Sequence, residues 1–174
     1  MRDRYGMTQD SRILKATEEG LAMIHEAMHL PSLLLARPAL YYYASARAAV
    51  LSFVELFEEL KQWVEDEGKR FDICALVKRG VRDTSKTVAG SAANGEVQVY
   101  FEGAVEILQK ANTLDPVMLF CGKLSVSDME LSRVQRVVRR DGLVLPEFAK
   151  NLKGYRRAME RVARANGLLK RKKR

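Results

Sequence analysis

Phe148, Leu152, Tyr155, Met159 and Val162 step along the chain by four, three, four and three residues. A helix of 3.6 residues per turn places such a series on one face, which the period of two in a strand cannot do. The other face of the same stretch carries Lys150, Lys153, Arg156, Arg157, Arg161 and Arg164, so this segment reads as a two-sided helix. An earlier series, Val50, Val54, Phe57, Leu60 and Val64, has the same period. With 47% apolar residues in 174, the chain can bury both stripes in one packed domain.

The stop and start signals place the other helices. Asp10 or Thr8 caps a first helix that runs to Leu30 and ends at Pro31. A second has Pro38 in its first turn and Gly68 past its end, a single helix of about 45 Å at about 1.5 Å per residue. A third fits 72–79 before Gly80, and DTSKTVAGSAANG (83–95) reads as a flexible linker. Val97, Phe101, Ala104, Val105 and Leu108 suit a helix, although Val97, Val99 and Phe101 also alternate as in a strand. Asp115–Pro116 opens a short turn that closes at Gly122, and Ser127 to Glu130 has the spacing of a capping box for a helix to Arg140. The final helix starts near Pro146. The expected fold is all-α, a helical bundle with an extended basic C-terminal helix and tail. Its expected divisions are residues 1–82 with the long central helix, the linker 83–95, the helices of 96–166 in the same domain, and a basic tail at 167–174.

Charge is unevenly spread. Residues 133–174 carry 15 basic and 3 acidic side chains, net +12, whereas residues 1–132 sum to −4. Arg and Lys along a helix neutralise phosphates and release counterions with little regard to sequence, and the guanidinium fork grips two oxygens at once. The nominated nucleic-acid contacts are Arg133, Arg136, Arg139, Arg140, Lys150, Lys153, Arg156, Arg157, Arg161, Arg164, Lys170, Arg171, Lys172, Lys173 and Arg174. A helix-turn-helix reader fits less well, because the turn from Asp141 to Leu145 is long and the Arg residues cover a whole face. Base stacking by Tyr41, Tyr42 and Tyr43 is opposed by their adjacency, and Trp63 reads as core.

HEAMH, from His25 to His29, matches the HExxH pattern of zinc metallopeptidases, with Glu26 as base for a bound water. It uses both histidines in the chain, and a third ligand would have to come from Glu55, Glu58 or Glu59. Only one half of a ferritin-type site is present. The expectation is therefore two histidines without metal, no cofactor and no catalysis, with the peptidase as the alternative. Cys74 and Cys121 lack metal-ligand spacing, which points to free thiols in a reducing interior, and no run is apolar enough for a membrane span or a secretion signal. Charged residues at 30% against nine amides lean toward a thermophilic source.

This layout resembles the DNA-wrapping capsid proteins of filamentous and rod-shaped archaeal viruses, in its small helical bundle, its basic extensions and its Arg-rich, amide-poor composition. The resemblance implies a helical nucleocapsid around double-stranded DNA, built by self-association or with a related paired subunit, and found in the virion or inside the cell. A helical RNA-binding subunit of a ribonucleoprotein and a DNA-binding regulator are further alternatives.

Overall fold

The computed structural model describes residues 2–80, 83–84 and 95–170. Apart from Asp83, Thr84 and Gly95, the expected linker lies outside the described residues, as do Arg171, Lys172, Lys173 and Arg174. The fold is all-helical, as expected, and no strand occurs among the described residues. The α-helices are α1 (Ser11–His29), α2 (Ala36–Ala48), α3 (Phe53–Glu59), α4 (Glu67–Val77), α5 (Gln98–Gln109), α6 (Val126–Glu130), α7 (Ser132–Val137) and α8 (Leu152–Ala165). Among the described residues, no helix is long and apolar enough to cross a membrane. The chain divides into two compact units, Met1–Leu35 with Glu102–Arg174, and Ala36–Phe101.

In the first unit α1 packs on α8. Asp10 caps α1 by accepting from the Arg12 N–H at 2.8 Å, and the buried face of the helix is Ala16, Thr17, Gly20, Ile24 and Ala27. Opposing core residues are Tyr155, Met159, Val162 and Ala163 on α8. Two glycines let α1 and α5 touch backbone to backbone: a Cβ on Gly103 would lie 1.7 Å from the Ala16 carbonyl oxygen, and one on Gly20 2.3 Å from the Ala104 nitrogen. No side chain fits at either position.

Asp128, only 2% exposed, closes this unit. Its carboxylate accepts from the Thr8 N–H at 2.8 Å and the Ser125 N–H at 3.1 Å, and Arg2 lies 3.8 Å away. The capping box is therefore Ser125 with Asp128, two residues earlier than Ser127 with Glu130, and the helix it starts ends at Glu130 rather than Arg140. Leu131 turns extended (φ −70°, ψ 117°) before α7 begins. The last helix likewise starts at Leu152, where Asn151 accepts from the Gly154 N–H at 3.0 Å, and Phe148 before it is 52% exposed.

The second unit holds the main revision of the helix boundaries. The single helix of 38–67 is two helices with a corner between Ala48 and Phe53. Ser52 and Glu55 cap each other there, the Ser52 N–H donating to Glu55 Oε2 at 2.7 Å. Buried Lys78 reaches in from beyond α4, donating to the carbonyls of Ala48, at 2.7 Å, and Leu51. Carbonyls orphaned at the end of α2 thus find a cation, which makes a stable break possible. Gly68 lies in the first turn of α4, which Asp66 caps, and is not a stop. Ala44, Ala48, Leu56, Leu60, Ile73, Cys74, Val77 and Val97 form the core of this unit.

Candidate functional site

The helix α1 does carry His25, Glu26 and His29 within its last two turns, as the HExxH spacing requires. His25 faces the interior of the first unit. Its Nε2 lies 2.7 Å from the Tyr155 hydroxyl, and its ring stands edge-on to Phe148 at 4.8 Å and parallel to Phe120 at 6.3 Å. Burial, with His29 adding like charge, lowers its pKa to about 4. Burial pushes the Tyr155 hydroxyl well above its ordinary value, so the pair is a neutral imidazole hydrogen-bonded to a neutral phenol. His29, at the end of the helix, is exposed.

Zinc in a peptidase needs three protein ligands with free lone pairs. Among the described residues, no group of three or more His, Cys, Asp or Glu is placed to hold a metal ion. The glutamates considered as third ligands have other attachments or stand in solvent. Glu55 belongs to the Ser52 cap, Glu59 accepts from Arg47 at 2.7 and 2.8 Å and from Tyr43 at 2.6 Å, and Glu58 is exposed. Hydrogen bonds from Arg47 and then Tyr43 hold the Glu59 pKa down to about 2. The described residues do not by themselves fit a zinc centre.

Several of the nominated basic residues have partners within the first unit. Arg140 pairs with Asp115 at 2.7 Å, Arg139 with Asp141 at 3.0 Å, Lys150 with Glu147 and Arg164 with Glu160. Arg133 covers Gly6, where an added Cβ would meet its guanidinium at 2.0 Å. Arg136 donates to the Ser132 carbonyl at 3.3 Å and Arg156 to that of Ala111 at 3.4 Å. Lys153, Arg157 and Arg161, four residues apart on the outer side of α8, are exposed, as is Lys170.

In the second unit Trp63 is 53% exposed rather than core. Tyr43 stands edge-on to it at 4.6 Å, and the Tyr43 hydroxyl is anchored on Glu59. Both line a groove of about 1080 Å³ between α2 and α4. Tyr42 packs instead on Phe101 at 5.5 Å. The expected stripe did not reveal this groove, because the corner after Ala48 resets the helical phase; the one available signal was the polar surroundings of Trp63 in KQWVEDEG.

No protein-family model matches the chain. It is 39% identical over 153 residues to microtubule-associated tyrosine carboxypeptidase 1 of Mus musculus, a match covering 87% of this chain and 32% of that protein. The chain is similar to tyrosine carboxypeptidases. The human protein of the same name is 37% identical over 166 residues, covering 95% of this chain and 33% of its own length. Human putative tyrosine carboxypeptidase MATCAP2 is 34% identical over 153 residues, 87% of this chain and 28% of that protein. The chain thus spans about a third of the length of the curated relatives it matches. These likenesses overturn the viral-capsid resemblance, and with it the DNA-coating function and the expectation of a non-enzyme. The relatives carry names of peptidases, so the class of the alternative reading fits better than that of the main one.

Proposed function

We propose that this chain is part of a tyrosine carboxypeptidase, an enzyme that hydrolyses the peptide bond preceding a C-terminal tyrosine. Water adds its oxygen to the acyl carbon, the C–N bond breaks, and the tyrosine nitrogen leaves with a proton as free amine. The observation that carries the reading is identity of 37–39% across 87–96% of the chain to proteins so named. The HEAMH spacing does not carry it, because His25 is taken up by Tyr155 and the aromatic rings around it. In this reading the described residues supply the helical frame of the enzyme, and no metal-dependent step is assigned to them. Association with microtubules, which the first relatives' names state of those proteins, is proposed alongside and is tested by co-sedimentation.

The test uses the protein in its full natural form and three peptides differing only at the C-terminus: free tyrosine, tyrosine amide and free phenylalanine. Mass spectrometry should show loss of one residue from the first, none from the amide and much slower loss from the third. Failure to release tyrosine from any of them would remove the reading.

A further inference from the structure

The chain leaves α1 through LPSLLL (30–35), and the bend it makes there is strained. Leu33 has a φ of 57°, and among the described residues it alone has a positive φ without being glycine. In the left-handed region Cβ crowds the carbonyl that follows it, so a leucine stays there only where its surroundings hold it. One side chain does so. Asn166, at the end of α8, donates from Nδ2 to the Leu33 carbonyl at 2.9 Å and to the Val162 carbonyl at 2.8 Å. Its Oδ1 accepts from the Leu35 N–H at 2.9 Å. Both amide protons and the amide oxygen are engaged, so the amide closes over the bend as a clasp.

The residue after Asn166 is Gly167, and this order has a chemistry of its own. With no side chain to hinder it, a glycine nitrogen that follows asparagine can attack the asparagine side-chain carbonyl. The bond from the Gly167 nitrogen to Cγ forms, the Cγ–Nδ2 bond breaks, the proton of the attacking nitrogen passes to Nδ2, and ammonia leaves. Water then opens the cyclic imide to aspartate or isoaspartate. The closed clasp obstructs each part of this. The ring requires Cβ and the Gly167 nitrogen to eclipse about the Cα–C bond, and the Asn166 ψ of 10° holds them apart. The Gly167 N–H is engaged with the Arg164 carbonyl at 3.2 Å and the Leu168 N–H with that of Ala163 at 2.8 Å, the double closure of a helix that ends in a left-handed glycine. Nδ2, the leaving group, sits between two carbonyls.

We propose that Asn166–Gly167 is a deamidation site gated by the Leu33 bend. While the clasp is closed Asn166 keeps its ammonia, and local opening frees both the amide and its ψ angle. After deamidation the side chain has acceptors only, so the Leu33 and Val162 carbonyls face a carboxylate where a donor stood. The bend then does not close again. Strain at Leu33 sets how often the clasp opens, which makes the pair a one-way timer. This inference stands apart from the peptidase reading and needs no catalysis.

The test follows ammonia loss in the full natural protein at mildly alkaline pH, by peptide mapping and mass spectrometry. Asn94, the other asparagine followed by glycine, is the control in the same molecule. Asn166 should react more slowly in the native protein than in concentrated urea. Leu33→Gly and Leu33→Ala both remove the leucine contacts beyond Cβ, but only glycine relieves the backbone. The glycine variant should therefore deamidate at Asn166 roughly two- to fivefold more slowly than the alanine variant, with the rate at Asn94 equal in both. Asn166→Asp, which installs one product directly, should lower the urea midpoint and speed hydrogen exchange over 33–35. Equal rates at Asn166 in native and unfolded protein, or in the two Leu33 variants, would overturn the proposal. So would a change at Asn94 that matches the change at Asn166, or an Asn166→Asp protein that unfolds and exchanges as the natural one does.

Discussion

Within 6.3 Å of the His25 ring centre lie the rings of Phe120, Phe148 and Tyr155, and an imidazolium there would exchange its water for ring carbons and one hydroxyl. The folded protein therefore takes up this proton only near pH 4, whereas an unfolded chain takes it up near 6.5. Between these values the unfolded state binds more protons, so the contribution of His25 to stability is full above pH 6.5 and is lost as pH falls toward 4. The loss is on the order of 2 to 3 kcal/mol, allowing for the part of the ring in solvent. His25→Phe should flatten this dependence. It should also cost about 1–3 kcal/mol at neutral pH by leaving the Tyr155 hydroxyl without its partner, while tyrosine release persists if the motif is structural. Urea unfolding of both proteins at pH 7.5, 5.5 and 4.5 reads the two slopes, and equal slopes would remove His25 as the titrating group. The two thiols give a simpler residue-scale expectation. Cys74 is buried, with its pKa pushed up to about 11 by that burial, and Cys121 is only partly covered. A thiol reagent should label Cys121 in the native protein and Cys74 only on unfolding, which peptide mapping would show.

The corner between α2 and α3 rests on two devices, the Ser52–Glu55 cap and the Lys78 ammonium on the Ala48 and Leu51 carbonyls. Lys78→Met leaves both carbonyls without a donor and should cost about 2–4 kcal/mol. Ser52→Ala should cost about 1 kcal/mol. Because both hold one corner, the double variant should be less destabilised than the sum of the singles, and strict additivity in denaturant midpoints would show the devices to be independent. This corner is also where sequence reading lost its way. SFVE (52–55) has the S-x-x-E spacing of a helix start, but it lies inside an apolar run whose period suggested one helix. Once the helix breaks there the phase changes, which leaves Val50 and Val54 at 56% and 68% exposure and Trp63 at 53%. Elements bounded by Asp caps and Pro or Gly stops were legible: α1 begins and ends within a residue of its expected limits, and the turn after Asp115 was placed correctly. The Ser125 box was missed because its partner at the third helical position is Asp128, shared with Thr8 from 120 residues away, a contact no local spacing can announce.

At the scale of the molecule, net charge says how many cations a segment has and not where they meet anions. The +12 of the last 42 residues suggested a surface waiting for a polyanion. Folding returns Arg140 to Asp115, Arg164 to Glu160 and Lys150 to Glu147, and within the same unit it lays Arg133 over Gly6 and Arg156 on the Ala111 carbonyl. Peptidase class was legible only as the alternative, through the HEAMH motif. The chain spans about a third of its relatives, and the one motif that suggested hydrolysis has its first histidine turned into an aromatic core. Paired and unpaired cations should separate in a stability series. Lys153→Gln, Arg157→Gln and Arg161→Gln remove exposed charges from the outer side of α8, and each should shift unfolding by no more than about 0.5 kcal/mol. Arg140→Gln breaks a pair whose members are 49% and 36% exposed, worth up to about 1 kcal/mol. Arg164→Gln should cost more, roughly 1–2 kcal/mol, because its pair with Glu160 is 29% and 19% exposed and the acid left behind is the least hydrated of the three. Urea midpoints of the five variants test this order. If the outer three proved as costly as Arg164→Gln, the charge of α8 would be acting as one field rather than through partners.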